Sequence, residues 1–327
     1  EVMNETYRAG DSLDGAIQWT NQIIKTMREC SPQHMVTTSA CEATPGPELT
    51  WINGSEVDFF NYHEYPTYPN YGQTTKLLGE VTHEIGTYAA VITLCDRLGR
   101  RVSLLGEAGN DRMGEASYPE VRQLITRDCL WLSFLHGSPG GISWDAIADP
   151  REFGVLSQIA KGIDWTRFVP AATPLVVKVT DADQELANLT QYVQWSLSHG
   201  VAVSFIRADQ SPQSGQTVLP GDRFAPPTKA PAATLQVGPG LQSSSLQSAD
   251  GKVFIGYVRN VSGREIINTR VRRPVQTMLT LRPLKPGSFQ IWDLDQRTVV
   301  KRVLVGRETR LDLGESAHDF AVVRVGD

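Results

Sequence analysis

The sequence predicts an α/β protein: a (β/α)8 TIM barrel, of which strands four to eight fall in this chain, followed by a small α/β segment and an antiparallel β-sandwich. Three observations predict it. In the first half, short β-branched runs alternate with longer helix-like stretches, the pattern of parallel βα units. Polar and acidic residues collect where several of those runs stop. That favours a barrel, whose site is built from the carboxyl ends of many strands, over an open sheet with its site at one switch point. In the last quarter, short alternating strands separated by turn residues read as a β-sandwich.

The elements follow in order. The opening "EVMNETY" reads as the end of a strand stopping near Glu5. Residues 12–30 place Leu13, Ile17, Ile24 and Met27 at helical spacing behind a capping Ser or Asp, and Ser31-Pro32 ends the helix. "HMVTTSA" (34–40) reads as a buried strand, followed by a loop containing Pro45, Gly46 and Pro47, and "VDFFNYHEYP" (57–66) as a second strand. Thr74 to Leu98 has the length of a helix, and "RVSLLGEAG" (101–109) is a strand ending on a carboxylate and glycine. A helix near 118–128, a strand near 130–136, a glycine-rich loop and a helix over 152–163 complete the first part. Strands ending near 5, 39, 65, 107 and 136 make five, too few for an eight-stranded barrel, so the first three strands are expected upstream or on another polypeptide.

Residues 1–165 are thus read as the C-terminal part of a catalytic barrel. Residues 166–250 hold a strand, helix and strand ("PLVVKVTD", "ADQELANLTQYVQWSLSHG", "VAVSFI") and then a Pro/Ser/Gln-rich linker. Residues 251–327 carry the sandwich strands "KVFIGYVRN", "TMLTLRP", "SFQIWDLD", "VVKRVLV", "TRLDL" and "DFAVVRV".

Composition narrows the partners. Across 327 residues, 31 basic side chains face 36 acidic ones, and the net charge of -5 supplies no basic field for nucleic acid or anionic lipid. No run of about 18 apolar residues predicts a membrane span, and no signal-peptide pattern opens the chain. Localisation stays open; the signal of a secreted or periplasmic protein would lie upstream. Cys30, Cys41, Cys95 and Cys129 form no C-x-x-C pair and are expected to be buried thiols. Six scattered histidines without H-x-x-x-H grouping argue against a zinc enzyme, and the absence of G-x-S-x-G argues against a serine hydrolase, so no metal or cofactor is expected.

Two carboxylates stand at strand ends, Glu5 in "EVMNET" and Glu107 in "SLLGEAG". Three strands apart in a barrel, they would face one another across its mouth. Glycoside cleavage needs such a pair: one acid protonates the leaving oxygen while the other carboxylate attacks the anomeric carbon or activates water.

Asn-Glu ending one strand, "YHEY" ending the next but one and "GE" ending the strand after that resemble the clan A retaining glycoside hydrolases, cellulase- and mannanase-like families included. The resemblance implies that Glu5 is the acid/base, Asn4 a ligand of the sugar 2-hydroxyl, and Glu107 the nucleophile. It makes His63 and Tyr65 the strand-six aromatic motif and Trp144 the platform under a sugar, with His136 a further substrate contact. The substrate implied is an oligo- or polysaccharide, cleaved by double displacement. The other class of function consistent with the sequence is a carbohydrate-binding protein on a degenerate or truncated barrel, which holds sugar without turning it over.

Overall fold

The parallel strands of the first half follow one another side by side in chain order, with helices between them in the sequence. In the computed structural model, the described residues are 2, 7–8, 12–41, 45–64, 85–99, 102–108, 119–138, 150–161, 173–262, 265–266, 269–270 and 272–325. β1 (Tyr7–Arg8), α1 (Leu13–Cys30), β2 (Ser39–Cys41), α2 (Pro45–Gly54), β3 (Phe59–Glu64), α3 (Ile85–Asp96), β4 (Val102–Ala108), α4 (Pro119–Leu135) and α5 (Pro150–Ala160) form the first unit. Its four strands pair in the order β1-β2-β3-β4, every pair parallel. Parallel neighbours require a crossover, and α1 between β1 and β2 begins on a proper cap, with Ser12 Oγ accepting the Gly15 N–H at 3.3 Å.

Several sequence expectations need correction here. The described residues contain no closed barrel; they contain a four-stranded parallel sheet. The strand expected near 130–136 lies inside α4, and the loop expected around Pro45 is the start of α2, where proline's fixed φ suits a first helical turn. The helix expected near 118–128 is the first part of α4, and its second part reads as a strand because Thr126 through Ser133 are buried without a break. The helix packs against α3 and against β9, β10 and β12 of the second half, and its last turns, Leu130 to Leu135, have no polar stripe to reveal a 3.6 period. The helix expected over 74–98 is described only as α3. Among the cysteines, Cys95 and Cys129 are buried as expected, whereas Cys30, in the last turn of α1, is exposed.

The second half opens with β5 (Leu175–Val179), α6 (Ala182–His199), β6 (Val203–Arg207) and β7 (Thr217–Pro220), in which β5 pairs in parallel with both β6 and β7. α6 carries the signals the sequence displayed. Asp181 accepts the N–H groups of Asp183 and Gln184 at the start, and Gly200 ends it at φ 64°. A Cβ at Gly200 would stand 2.1 Å from the Leu235 carbonyl oxygen. Gly200→Ala is therefore expected to cost more than the roughly 1–2 kcal/mol of left-handed strain alone, which a urea titration would measure.

The remaining strands are β8 (Leu235–Val237), β9 (Leu241–Gln247), β10 (Phe254–Asn260), β11 (Glu265–Ile266), β12 (Thr269–Arg270), β13 (Val275–Leu281), β14 (Gly287–Asp293), β15 (Thr298–Val305), β16 (Thr309–Ser316) and β17 (Phe320–Arg324). They form a five-stranded sheet β15-β14-β17-β10-β9, a three-stranded sheet β16-β13-β8 and the hairpin β11-β12. The two larger sheets are antiparallel and meet in one core: Leu235, Leu279, Leu281 and Leu311 from the smaller, Phe254, Val258, Phe289, Ile291 and Val322 from the larger. β8 and β9 come from the stretch whose Gln, Ser, Pro and Gly content suggested a linker. They are built into these sheets because strand pairing needs backbone donors and acceptors, which that composition still supplies.

The two halves share a core as well, since Trp131 of α4 stacks on Tyr257 of β10 with ring centroids 5.5 Å apart. Around that stack lies a buried charge network. Arg127 of α4, fully buried, binds Glu152 of α5 through two nitrogens at 2.9 Å each, and Asp295 and Asp319 at 3.0 Å each. Tyr257 donates to Asp128 at 2.5 Å, and Arg259 donates to Thr87 of α3 at 3.0 Å.

Candidate functional site

The site suggested by the sequence lies at the carboxyl ends of β3 and β4. In that pairing Asn61 stands opposite Leu104 and Tyr62 opposite Leu105, but His63 stands opposite Glu107. Gly106 is therefore an extra residue, a bulge that advances β4 by one and brings Glu107 abreast of His63. Bulges re-aim strand residues and are concentrated beside active sites.

His63 is buried at 1% exposure, with its Nε2 3.4 Å from Asn61 Nδ2. Asn61 and His63 are two residues apart and so share one face of β3. The Asn61 amide also lies over Gly106, where an added Cβ would meet Asn61 Oδ1 at 1.6 Å. This approach of the strands requires a small residue at position 106, next to Glu107 in the chain, a requirement visible only once the two strands are side by side. Glu107 is described by its backbone position in β4.

Asn4, Glu5, Tyr65 and Trp144 lie outside the described residues, so the structure brings together His63 and Glu107 alone of the residues selected from the sequence. The sheet edge of β1 is described at Tyr7–Arg8, aligned with Ala40 and Cys41 of β2, and the Val2 N–H donates to the Thr37 carbonyl at 2.7 Å.

His136 is placed elsewhere. The sequence put it at a strand end, but the structure puts it just beyond the last turn of α4, where its Nδ1 lies 2.7 Å from the Leu132 carbonyl. A carbonyl only accepts, so Nδ1 carries the proton. Its own carbonyl accepts from Arg97 at 3.1 Å, immediately after α3 and five residues before β4 begins. His136 therefore sits at the amino-terminal edge of the parallel sheet, opposite the end that carries Glu107.

Burial, helped by the nearby Arg97 and Arg259 charges, lowers the His136 pKa from 6.5 to about 4. The neutral folded form thus resists a proton that the unfolded chain accepts below pH 6.5. The stabilisation is complete above that pH and is lost as the pH falls towards about 4, a change of about 3 kcal/mol. Urea midpoints measured across this window should fall more steeply for the parent than for His136→Gln.

Among the described residues, one group of side chains is close enough to hold an ion: Asp293, Asp295 and His318, with ligand atoms within 4.8 Å. Its oxygens are already engaged. Asp295 takes two bonds from Arg272, at 2.8 and 2.9 Å, and one from Arg127, which hold its carboxyl below the usual range against the opposing effect of burial. Asp293 takes His318 Nδ1 at 2.6 Å and the N–H groups of Asp295 and Gln296. The donor set fits a protein-satisfied cluster better than a metal centre.

A separate cleft of about 810 Å³ opens where β5 and β7 end and α6 begins, lined among others by Lys178, Asp181, Glu185, Asp222 and Arg223. Glu185, 5% exposed, accepts the Thr180 and Asp181 N–H groups, and desolvation raises its pKa.

No protein-family model matches the chain, and no curated protein matches its sequence. Solved structures do. α-L-Fucosidase isoenzyme 2 from Paenibacillus thiaminolyticus aligns with 95% of this chain and 71% of its own at 8% identity and a TM-score of 0.53. A β-galactosidase from Bacillus circulans sp. alkalophilus aligns over 96% of this chain and 67% of its own, at 9% identity and a TM-score of 0.47. An α-L-arabinofuranosidase from Thermotoga maritima aligns over 99% and 65%, at 13% identity and 0.42. The chain therefore spans about two thirds of the length of the structures it resembles. At such identity the likeness is one of fold: the chain is built like a solved glycosidase, the fucosidase carrying the comparison.

Proposed function

We propose that this chain carries part of the catalytic apparatus of a retaining β-glycoside hydrolase acting on an oligo- or polysaccharide, of the cellulase- and mannanase-like kind that the sequence motifs resemble. Glu107 is its nucleophile and Glu5 its acid/base. The observation that carries the reading is the position of Glu107 near the carboxyl end of a parallel strand, brought level with a buried histidine by a one-residue bulge. Strand ends of this kind position reacting groups in parallel βα architectures. The fold likeness to a glycosidase supports the same class.

In this mechanism the two carboxyl groups stand about 5–5.5 Å apart. Ionised Glu107 raises the pKa of Glu5, which stays protonated and gives its proton to the leaving oxygen as Glu107 attacks the anomeric carbon. Formation of the glycosyl-enzyme removes the Glu107 charge, so Glu5 can then take a proton from water and complete hydrolysis. Asn4 binds the sugar 2-hydroxyl, His63 and Tyr65 line the sugar and nucleophile, and Trp144 provides an apolar platform.

The test is the stereochemistry of cleavage by the full natural chain. A panel of aryl β-glycosides followed by proton NMR should give the β-anomer as first product. First release of the α-anomer would mean inversion and a wider carboxylate pair. Binding of oligosaccharide without any cleavage would favour the non-catalytic carbohydrate-binding alternative.

A further inference from the structure

We infer that Asn61 is a positioning residue of the strand-end site: its carboxamide, seated on Gly106, sets the β4 bulge that aligns Glu107 with His63. The inference deepens the proposed glycosidase reading and rests on it for the role of Glu107, but its physical basis is independent of turnover.

Three observations converge on Asn61. Its Oδ1 is buried and has no hydrogen-bond partner among the described residues. Such an acceptor is costly to leave unmade and is rarely kept without a compensating role. The same atom would stand 1.6 Å from a Cβ on residue 106, with Cγ and Nδ2 at 2.5 and 2.7 Å, so the whole amide occupies the space that any larger residue would need. The other end of the amide reaches His63, Nδ2 to Nε2 at 3.4 Å.

One short side chain therefore touches both partners of the register shift. It fills the gap over the extra residue of β4 and braces the imidazole opposite Glu107. Without the shift, Gly106 would stand opposite His63, and Glu107 one position further along opposite Glu64. A one-residue slip exchanges the faces of a strand, so the bulge decides on which face of the sheet position 107 is presented.

The arrangement predicts a specific non-additivity. Gly106→Ala should lower kcat/KM on an aryl glycoside by about 100-fold, chiefly through kcat, as expected for a reacting group displaced by about 1 Å. The same substitution in an Asn61→Gly background, where the space is vacant, should cost less than about tenfold. The second readout needs no activity. In the full chain labelled with 15N-histidine, Asn61→Ala should shift the His63 Nε2 resonance, assigned with His63→Gln, and leave those of His199 and His318 in place.

Equal losses from Gly106→Ala in both backgrounds, or an unmoved His63 resonance in Asn61→Ala, would overturn the assignment. If Gly106→Ala fails to fold while Asn61→Gly/Gly106→Ala folds, the coupling is shown in stability instead; failure of both double and single variants contradicts it. A chain without glycosidase activity whose His63 resonance still responds to Asn61 would remove the proposed function and leave the positioning role intact.

Discussion

Arg127→Ala is expected to destabilise the protein by about 3–5 kcal/mol, a large part of the roughly 5–15 kcal/mol that holds an ordinary domain together. Arg127 and its partners Glu152 and Asp319 are all fully buried, and Asp295 is nearly so. Removing the guanidinium leaves two carboxylates in the interior with one fewer cation, and Arg272, at 3.6 Å from Asp319, is too far to replace it without moving. Arg127→Lys should be intermediate, because an ammonium keeps the charge but cannot make paired bonds to Glu152 while reaching Asp319 and the Leu294 carbonyl. Guanidinium titration measures the loss. The same experiment should show whether unfolding splits into two transitions, since Arg127 joins α4 and α5 of the first half to the residues around β14 and β17 of the second. A loss below about 1 kcal/mol would mean that the carboxylates find other donors or take up protons.

The second large effect concerns chemistry. Glu107→Gln keeps the size and shape of the side chain and removes its charge, so it should reduce turnover by at least about 10³-fold while leaving the unfolding midpoint nearly unchanged. That contrast separates a reacting carboxylate from one that supports the fold. A structural Glu107 would give the opposite pattern, with stability lost and residual activity following the folded fraction.

The helix signals of α1 and α6 were legible because they are local: a side chain that caps, an apolar stripe on one face, a glycine where the backbone turns left-handed. The strands of the last quarter were legible for a related reason, since β13 alternates buried and exposed positions from residue to residue, and sequence alternation follows. The second half of α4, unlike the helix start expected near 118–128, was hidden by its own burial. Packed between α3 and the second-half strands, it carries "LWLSFL" with no polar face, and such a run reads equally well as a buried strand.

The candidate site divides in the same way. Glu107 could be found from its context at the end of a short apolar run, and His63 from the aromatic motif around it. Asn61 and Gly106 could not, because what makes them matter is an approach between neighbouring strands. Arg127 offered no signal either: its partners Asp295 and Asp319 are distant in sequence, and an arginine beside Asp128 in a mixed helical stretch has no local pattern that names them. His136 was misplaced as a consequence of α4, since a residue assigned to a strand end and a residue following a helix fall at opposite edges of a parallel βα sheet.

The measurement that tests the central claim most directly is covalent trapping of the nucleophile in the full natural chain. A 2-deoxy-2-fluoro aryl β-glycoside with a good leaving group slows both steps of a retaining reaction but lets the first outrun the second, so the glycosyl-enzyme accumulates. Mass spectrometry of the intact protein should show a single added glycosyl group, and peptide mapping should place it on Glu107, with no adduct on Glu107→Gln. An adduct on any other carboxylate, or steady hydrolysis of the unmodified aryl glycoside by Glu107→Gln at the parent rate, would contradict the assignment.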